Sequence, residues 1–178
     1  MPDYMVTYSG TEVDPLNPDV ESIRLEDIAH ALSLLCRGGG HLKFFYSVGQ
    51  HSVNCAAEAE ARGLDKKTVL ACLLHDASEA YLSDIIRPVK KHLSQYLAIE
   101  QKLQDAIWEK FSLNLSQPDL EAVAQIDDIV LYNEITLLMN TAKKLDAPLL
   151  QGKCDFSLRQ CRDIEQSFVR LANQYLDC

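Results

Sequence analysis

The sequence is short of positive charge, of long apolar runs and of paired cysteines, and each shortage excludes something. Seventeen lysines and arginines stand against 26 aspartates and glutamates, a formal net charge of -9. A surface with that deficit repels a phosphate backbone, which argues against broad nucleic-acid binding. A small phosphorylated ligand is not excluded, because a few arginines or a metal ion can invert the field locally. The longest apolar runs, such as Val69 to Leu74, are far too short for a membrane span. Met1 to Gly10 is polar, with aromatic residues and a glycine, and has no basic-then-apolar leader pattern. The expectation is a cytoplasmic protein without membrane association. Six cysteines, at 36, 55, 72, 154, 161 and 178, include no C-x-x-C pair, so zinc-ribbon and thioredoxin spacings are absent. Cys55 and Cys72 fall within apolar helical patterns and read as small core residues with reduced thiols.

What the chain does have is enough apolar material for a core. Of 178 residues, 47% are hydrophobic and 24% charged, which places it with single globular domains and not with disordered chains. Residues 1–24 read as irregular: Ser9-Gly10 signals a turn, Pro15 and Pro18 interrupt regular structure, and Tyr4, Tyr8 and Val13 could pin the segment down. A helical period begins at Leu25, with Ile28, Ala31, Leu32, Leu34 and Leu35, and ends at Arg37-Gly-Gly-Gly-His41. Ser47 caps a helix reaching about Arg62, and Gly63 closes it. Asp65 caps the next, expected to run through Leu74 and His75 to Ala80. Further helices are expected at 94–111, from Ser116 or Pro118 toward Lys144, and at 157–176. No run of alternating strand residues, internal repeat or low-complexity linker is present. The reading is all-α: one helical bundle of about six helices, with residues 25–145 as its core and 155–178 holding the last helix.

The sharpest local feature is Leu74-His75-Asp76-Ala77-Ser78-Glu79, which follows an apolar run directly. On a helix, His75 and Glu79 share a face, as do Asp76 and Glu79. Burying such groups unpaired is costly, so a compensating partner is needed, and a divalent cation fits. Imidazole with carboxylate suits manganese, iron, cobalt, nickel or zinc, and magnesium is also compatible with the carboxylates. One helix supplies only part of a shell. His51, one turn into an apolar helix, and Asp127, amid apolar neighbours, are the candidates to complete it; Asp128 is the alternative to Asp127. Taken singly, each has a plain structural reading as a hydrogen-bonded core residue or helix-end carboxylate. His30 and His92 read as structural or exposed, and Trp108 as a core or dimer contact.

The order His51, His75-Asp76, Asp127 on successive helices resembles the HD-domain superfamily of metal-dependent phosphohydrolases. The stretch from His75 through Ile85-Ile86-Arg87-Pro88-Val89-Lys90, with Asp27 to His41 and Tyr46 to Ser52, is similar to the bacterial 5′-deoxynucleotidase-like subgroup and to small phage and bacterial HD hydrolases. The resemblance covers roughly residues 5–145 and implies one divalent metal on His51, His75, Asp76 and Asp127. It implies that Glu79 acts on the attacking water or the leaving oxygen, that Arg37 contacts the substrate phosphate, and that Asp84 binds the sugar 3′-hydroxyl. Gly38 stands where relatives carry a bulky residue, and Ile86 where proline is common. The implied reaction is loss of the 5′-phosphate from deoxynucleoside monophosphates. The alternatives are a deoxynucleoside triphosphate triphosphohydrolase, favoured if Lys43, Arg87, Lys90 or Lys91 points into the mouth, and a non-catalytic nucleotide sensor. Relatives commonly self-associate, and the helices at 94–111 and 157–176 offer a face for a homodimer or higher homo-oligomer.

Overall fold

The computed structural model describes residues 4–142 and 145–176. Lys143, Lys144 and Cys178, which the sequence reading placed at the end of one helix and of the chain, lie outside the described residues, as do Met1 to Asp3. Among the described residues the architecture is an all-α bundle. Six helices have nine or more residues: α1 (Leu25–Leu34), α2 (Val48–Ala61), α3 (Lys66–Leu74), α6 (Ser94–Lys110), α7 (Gln117–Leu138) and α8 (Cys161–Leu176). Two single-turn helices, α4 (Glu79–Leu82) and α5 (Arg87–Lys90), lie between α3 and α6. No described helix is long and apolar enough to cross a membrane.

The core is built around α3, whose residues Thr68 to Leu74 are all buried. A helix with no polar face must be covered on every side. Helices α2, α7 and α8 pack on α3, and α1 completes the ring against α2 and α8. Gly49 allows α1 and α2 to close up: a Cβ there would meet the Leu32 carbonyl at 3.1 Å. The caps follow the sequence. Ser47 accepts from Gln50 N, Asp65 from Thr68 N, and Ser116 forms a reciprocal capping box with Asp119.

Several expectations need correction. Residues 1–24 are not wholly irregular: β1 (Met5–Val6) and β2 (Glu12–Val13) pair antiparallel as a small hairpin. Buried Asp27 holds it, accepting from Thr7 Oγ1 at 2.8 Å, Ser9 N at 2.7 Å and Ser9 Oγ at 2.9 Å. Val13 is buried as expected, whereas Tyr8 stays exposed and stacks on His30 at 3.6 Å. The helix from Asp65 stops at Leu74 instead of reaching Ala80. Residues 75–78 form a tighter turn, with bonds three residues apart such as Ala77 N to Leu74 O and Glu79 N to Asp76 O. At three residues per turn, positions i and i+3 eclipse. Asp76 and Glu79 therefore line up more closely than an α-helix would bring them.

Helix α7 ends at Leu138, short of the expected Lys144. The last helix begins at Cys161, not Ser157, because the backbone before it is drawn onto α2 by side-chain bonds. Leu34, part of the expected apolar period, is instead exposed. Phe168 on α8 is fully buried, so α8 belongs to the core and is no appendage. Phe168→Ala should cost about 3–5 kcal/mol in urea unfolding. A loss below about 1 kcal/mol would mean that α8 packs less tightly than described.

Candidate metal centre

Three elements bring four side chains with ligand atoms to one point. His51 stands one turn into α2, His75 and Asp76 lie at the end of α3, and Asp127 is on α7. His51 Nε2 is 3.1 Å from Asp127 Oδ1, 3.3 Å from His75 Nε2 and 3.8 Å from Asp76 Oδ2. His75 Nε2 is 3.3 Å from Asp76 Oδ2 and 3.8 Å from Asp127 Oδ1. Ligands about 2.1 Å from one ion stand about 3.0–3.4 Å apart in octahedral or tetrahedral geometry, so these separations fit a single cation with slight contraction.

The second nitrogen of each ring explains why Nε2 faces the centre. His51 Nδ1 donates to Glu134 Oε1 at 2.7 Å, and His75 Nδ1 donates to the Cys72 carbonyl at 2.8 Å. An acceptor at Nδ1 fixes the tautomer and turns the Nε2 lone pair inward. Asp127 Oδ1 is buried with no hydrogen-bond donor of its own. A carboxylate oxygen and two imidazole nitrogens thus converge, an arrangement that could hold either shared protons or a cation.

His51, Cys55 and His75 also bring ligand atoms close enough together to hold a metal ion. The thiol is the weaker member. Cys55 Sγ lies 3.4 Å from His51 Nε2 and 4.0 Å from Nδ1, alongside the ring and not in line with the Nε2 lone pair. Burial, then the charges of Asp127 and Glu134, push its pKa well up, which keeps it a thiol. The carboxylates behave oppositely. Burial opposes ionisation of Asp127 and Asp76, but the histidines beside them, and for Asp76 also Arg37, hold both well below the usual carboxylate range. The same field raises the pKa of both histidines against their burial, so protons and a metal compete for these lone pairs. Arg87 pairs with both neighbours, but Asp128 is half-exposed, whereas Asp127 turns its Oδ1 toward His51.

Arg37 sits behind the ligands. Its Nε donates to Glu134 Oε2 at 2.9 Å, Nη1 to Asp76 Oδ2 at 3.2 Å, and Nη2 lies 3.6 Å from Asp127 Oδ1. The guanidinium is thus engaged with three carboxylates, a role beyond the phosphate contact expected of it. Burial would raise the Glu134 pKa, but His51 and Arg37 pull it down to about 2. Glu134 is therefore a carboxylate at every working pH. Glu134 is not among the residues singled out from the sequence. The signal was its position seven residues after Asp127, two turns along the same face of α7.

The quartet opens into a cleft of about 540 Å³, within the range of small-ligand pockets. Its inner end holds Arg37, Asp76, Glu79 and Asp127; its outer wall is aliphatic, with Leu42, Ile86, Leu131, Ile135 and Met139. Met139 fills the space beside Gly38. Asp84 also lines the cleft, and its Oδ2 accepts from Gly38 N at 2.8 Å. Of the cations expected at the mouth, Arg87 and Lys90 are in the lining and Lys91 is not, while Lys43 instead donates to the Leu137 carbonyl. Arg87 donates to Asp127 Oδ2 and Asp128 Oδ1; Lys90 pairs with Glu100 at 2.6 Å and Glu79 at 3.3 Å.

Glu79 is buried, and its Oε2 has no hydrogen-bond partner. Burial, then the charges of Asp76 and Asp84, raise its pKa to about 9. In the metal-free protein this favours the protonated acid at neutral pH. The unfolded chain releases this proton near the ordinary value of 4.5, while the folded metal-free protein keeps it to about 9. Between those values the unfolded state binds fewer protons, so stability falls as pH rises. Glu79→Gln removes that loss. In metal-free protein its Tm advantage over wild type should grow by at least about 2–4 °C between pH 5 and pH 8. The same difference at both pH values would contradict the raised pKa.

No protein-family profile matches the chain. It is 39% identical to the uncharacterized protein YfdR of Escherichia coli K12 over 112 residues, 62% of this chain and 59% of YfdR. It is 36% identical to the uncharacterized protein RCAP_rcc00048 of Rhodobacter capsulatus over 129 residues, 68% of this chain and 65% of that relative. In both, the match spans less than two thirds of the relative's length.

Proposed function

We propose that the chain is a metal-dependent phosphohydrolase of the HD type that removes the 5′-phosphate from deoxynucleoside monophosphates. The observation that carries this reading is the convergence of His51, His75, Asp76 and Asp127, with an orphaned Asp127 oxygen, at the polar end of a cleft whose other wall is aliphatic. A divalent ion held there supplies Lewis-acid polarisation of a phosphoryl oxygen and a water of lowered pKa.

The remaining chemistry belongs to side chains. Glu79 carries a proton beside the ligand cluster and has a free oxygen. It suits the role of general acid: as water oxygen bonds to phosphorus and the P–O5′ bond breaks, the Glu79 proton passes to O5′. The proton released by the water then restores the acid, and nucleoside and orthophosphate leave. Lys90 holds Glu79 in place and its charge limits the rise in pKa. Arg37 keeps the carboxylates together and offers its outward N–H groups to phosphate oxygens. Asp84 has one oxygen committed to Gly38, which leaves Oδ1 as the acceptor for a sugar hydroxyl. The aliphatic wall takes the base by burial of apolar surface.

Charge favours a monophosphate over a triphosphate. Three cations in the lining, Arg37, Arg87 and Lys90, face four carboxylates, Asp76, Asp84, Asp127 and Glu134, with Glu79 neutral. The cleft is one unit negative, and a divalent ion makes it one unit positive. That is too little to hold the two further phosphates of a triphosphate, and both Arg87 and Lys90 are already paired.

Phosphorus NMR of the manganese- or cobalt-loaded protein should show orthophosphate from deoxynucleoside monophosphates and no tripolyphosphate from the triphosphates. Asp76→Asn should lose metal and at least about 100-fold in turnover while staying helical. Tripolyphosphate would assign the triphosphohydrolase reaction instead. No product from either substrate, with metal bound, would leave the sensor reading.

A further inference from the structure

Residues 149–157 have no regular structure, yet they are among the most firmly tied segments of the chain. They lie along α2, where Gln50, Asn54 and Glu58 recur every four residues and form a buried polar stripe. The stripe grips the backbone of the segment. Glu58 Oε2 accepts from Gln151 N at 2.9 Å and Gly152 N at 2.7 Å. Asn54 accepts from Asp155 N at 2.8 Å and donates to the Asp155 carbonyl at 2.9 Å. Gln50 donates to the Asp155 and Ser157 carbonyls at 2.8 and 3.0 Å. Gly152 is seated so closely that an added Cβ would lie 2.6 Å from Ala57 O and 2.8 Å from Glu58 Cα. Both are backbone atoms and cannot step aside.

Asn54 has a second task. Its amide also donates to Tyr46 Oη at 2.9 Å, and Tyr46 donates to Glu134 Oε1 at 2.8 Å. That oxygen is the one that accepts from His51 Nδ1. Tyr46 is fully buried, and Phe156 of the segment stacks on it at 6.4 Å. A continuous path of buried hydrogen bonds therefore runs from Asp155 through Asn54, Tyr46 and Glu134 to His51.

We propose that segment 151–157 is a positioning strap for the metal centre, acting through Asn54, Tyr46 and Glu134 on the orientation of His51. The inference rests on the metal reading of His51, His75, Asp76 and Asp127, and it adds Tyr46 and Asn54 as positioning residues. Fixing the amide of Asn54 from the strap side leaves only one direction for its second N–H. Tyr46 is then oriented with its proton toward Glu134. Glu134 receives two donors on one oxygen and Arg37 on the other, which immobilises the carboxylate that aims His51. Partners of this kind typically change metal affinity about 10–100-fold when removed.

The test is cobalt affinity of the full chain, read by calorimetry and by the cobalt visible absorption band, for wild type, Tyr46→Phe, Gly152→Ala and the double variant. Tyr46→Phe keeps the ring and removes only the hydroxyl. Gly152→Ala displaces the strap from a site that touches no ligand. Each single variant should weaken cobalt binding about tenfold or more and shift the absorption band. The double variant should lose little beyond either single one, since both cut the same path. Gly152→Ala with a lowered Tm but wild-type cobalt affinity and spectrum would overturn the strap's role. Fully additive losses in the double variant would overturn the path through Tyr46. A wild-type protein that takes up no cobalt would remove the metal reading itself, and a protein that binds cobalt but hydrolyses no nucleotide would leave the strap inference standing.

Discussion

The imidazole of His51 has no access to solvent, and each of its nitrogens faces a carboxylate: Glu134 at 2.7 Å on one side and Asp127 at 3.1 Å on the other. Burying charge in this way is unfavourable unless every group finds a partner. The rest of the molecule is arranged to provide partners. Arg37 reaches from the loop after α1 to three carboxylates, and Tyr46 and Asn54 close the back of Glu134. The turn after α3 brings His75 and Asp76 to the front. Asp127 Oδ1 is left without a donor of its own, and it faces the ligand atoms of His51 and His75. A buried network of this kind, with a carboxylate oxygen left without a donor where the ligand atoms converge, is what the proposed cation would complete.

The same constraint sorts the acidic residues of the cleft by their neighbours. Asp76, Asp127 and Glu134 lie against cationic groups and stay ionised despite burial. Glu79 lies against Asp76 and Asp84, with only Lys90 and the more distant Arg37 to offset them, and holds its proton. In the metal-free protein carboxylates a few residues apart thus favour opposite protonation states at neutral pH, the division that the proposed reaction needs between metal ligands and proton donor. The aliphatic wall contributes no charge, so under the proposed reaction it would shape the leaving group without disturbing that division.

Much of this was legible in the sequence where local rules decide the outcome. Ser47, Asp65 and Ser116 announce helix starts because their side chains cap the helix that follows. The unbroken apolar run before His75 announces a helix buried all round. His51, His75, Asp76, Glu79 and Asp127 stand out because polar groups in apolar surroundings need a reason. What stayed hidden depends on contacts between distant segments. The helix was read through to Ala80 since nothing in His75 to Ser78 breaks a helix by propensity; the tightening comes from tertiary bonds such as Ser78 N to Gln104. Glu134 looked like one more helix residue until α2 and α7 met. The strap is invisible in sequence because its bonds use backbone atoms, and its partners are recognisable only as a four-residue spacing on a helix 100 residues earlier.

The central claim is that one cation binds where these four side chains converge. Cobalt diffused into crystals, with diffraction recorded at its absorption edge, locates the ion directly. The account predicts a single anomalous peak within bonding distance of His51 Nε2, His75 Nε2, Asp76 Oδ2 and Asp127 Oδ1. A peak bonded to Cys55 Sγ without the two aspartates, or cobalt found only on the protein surface, would contradict it.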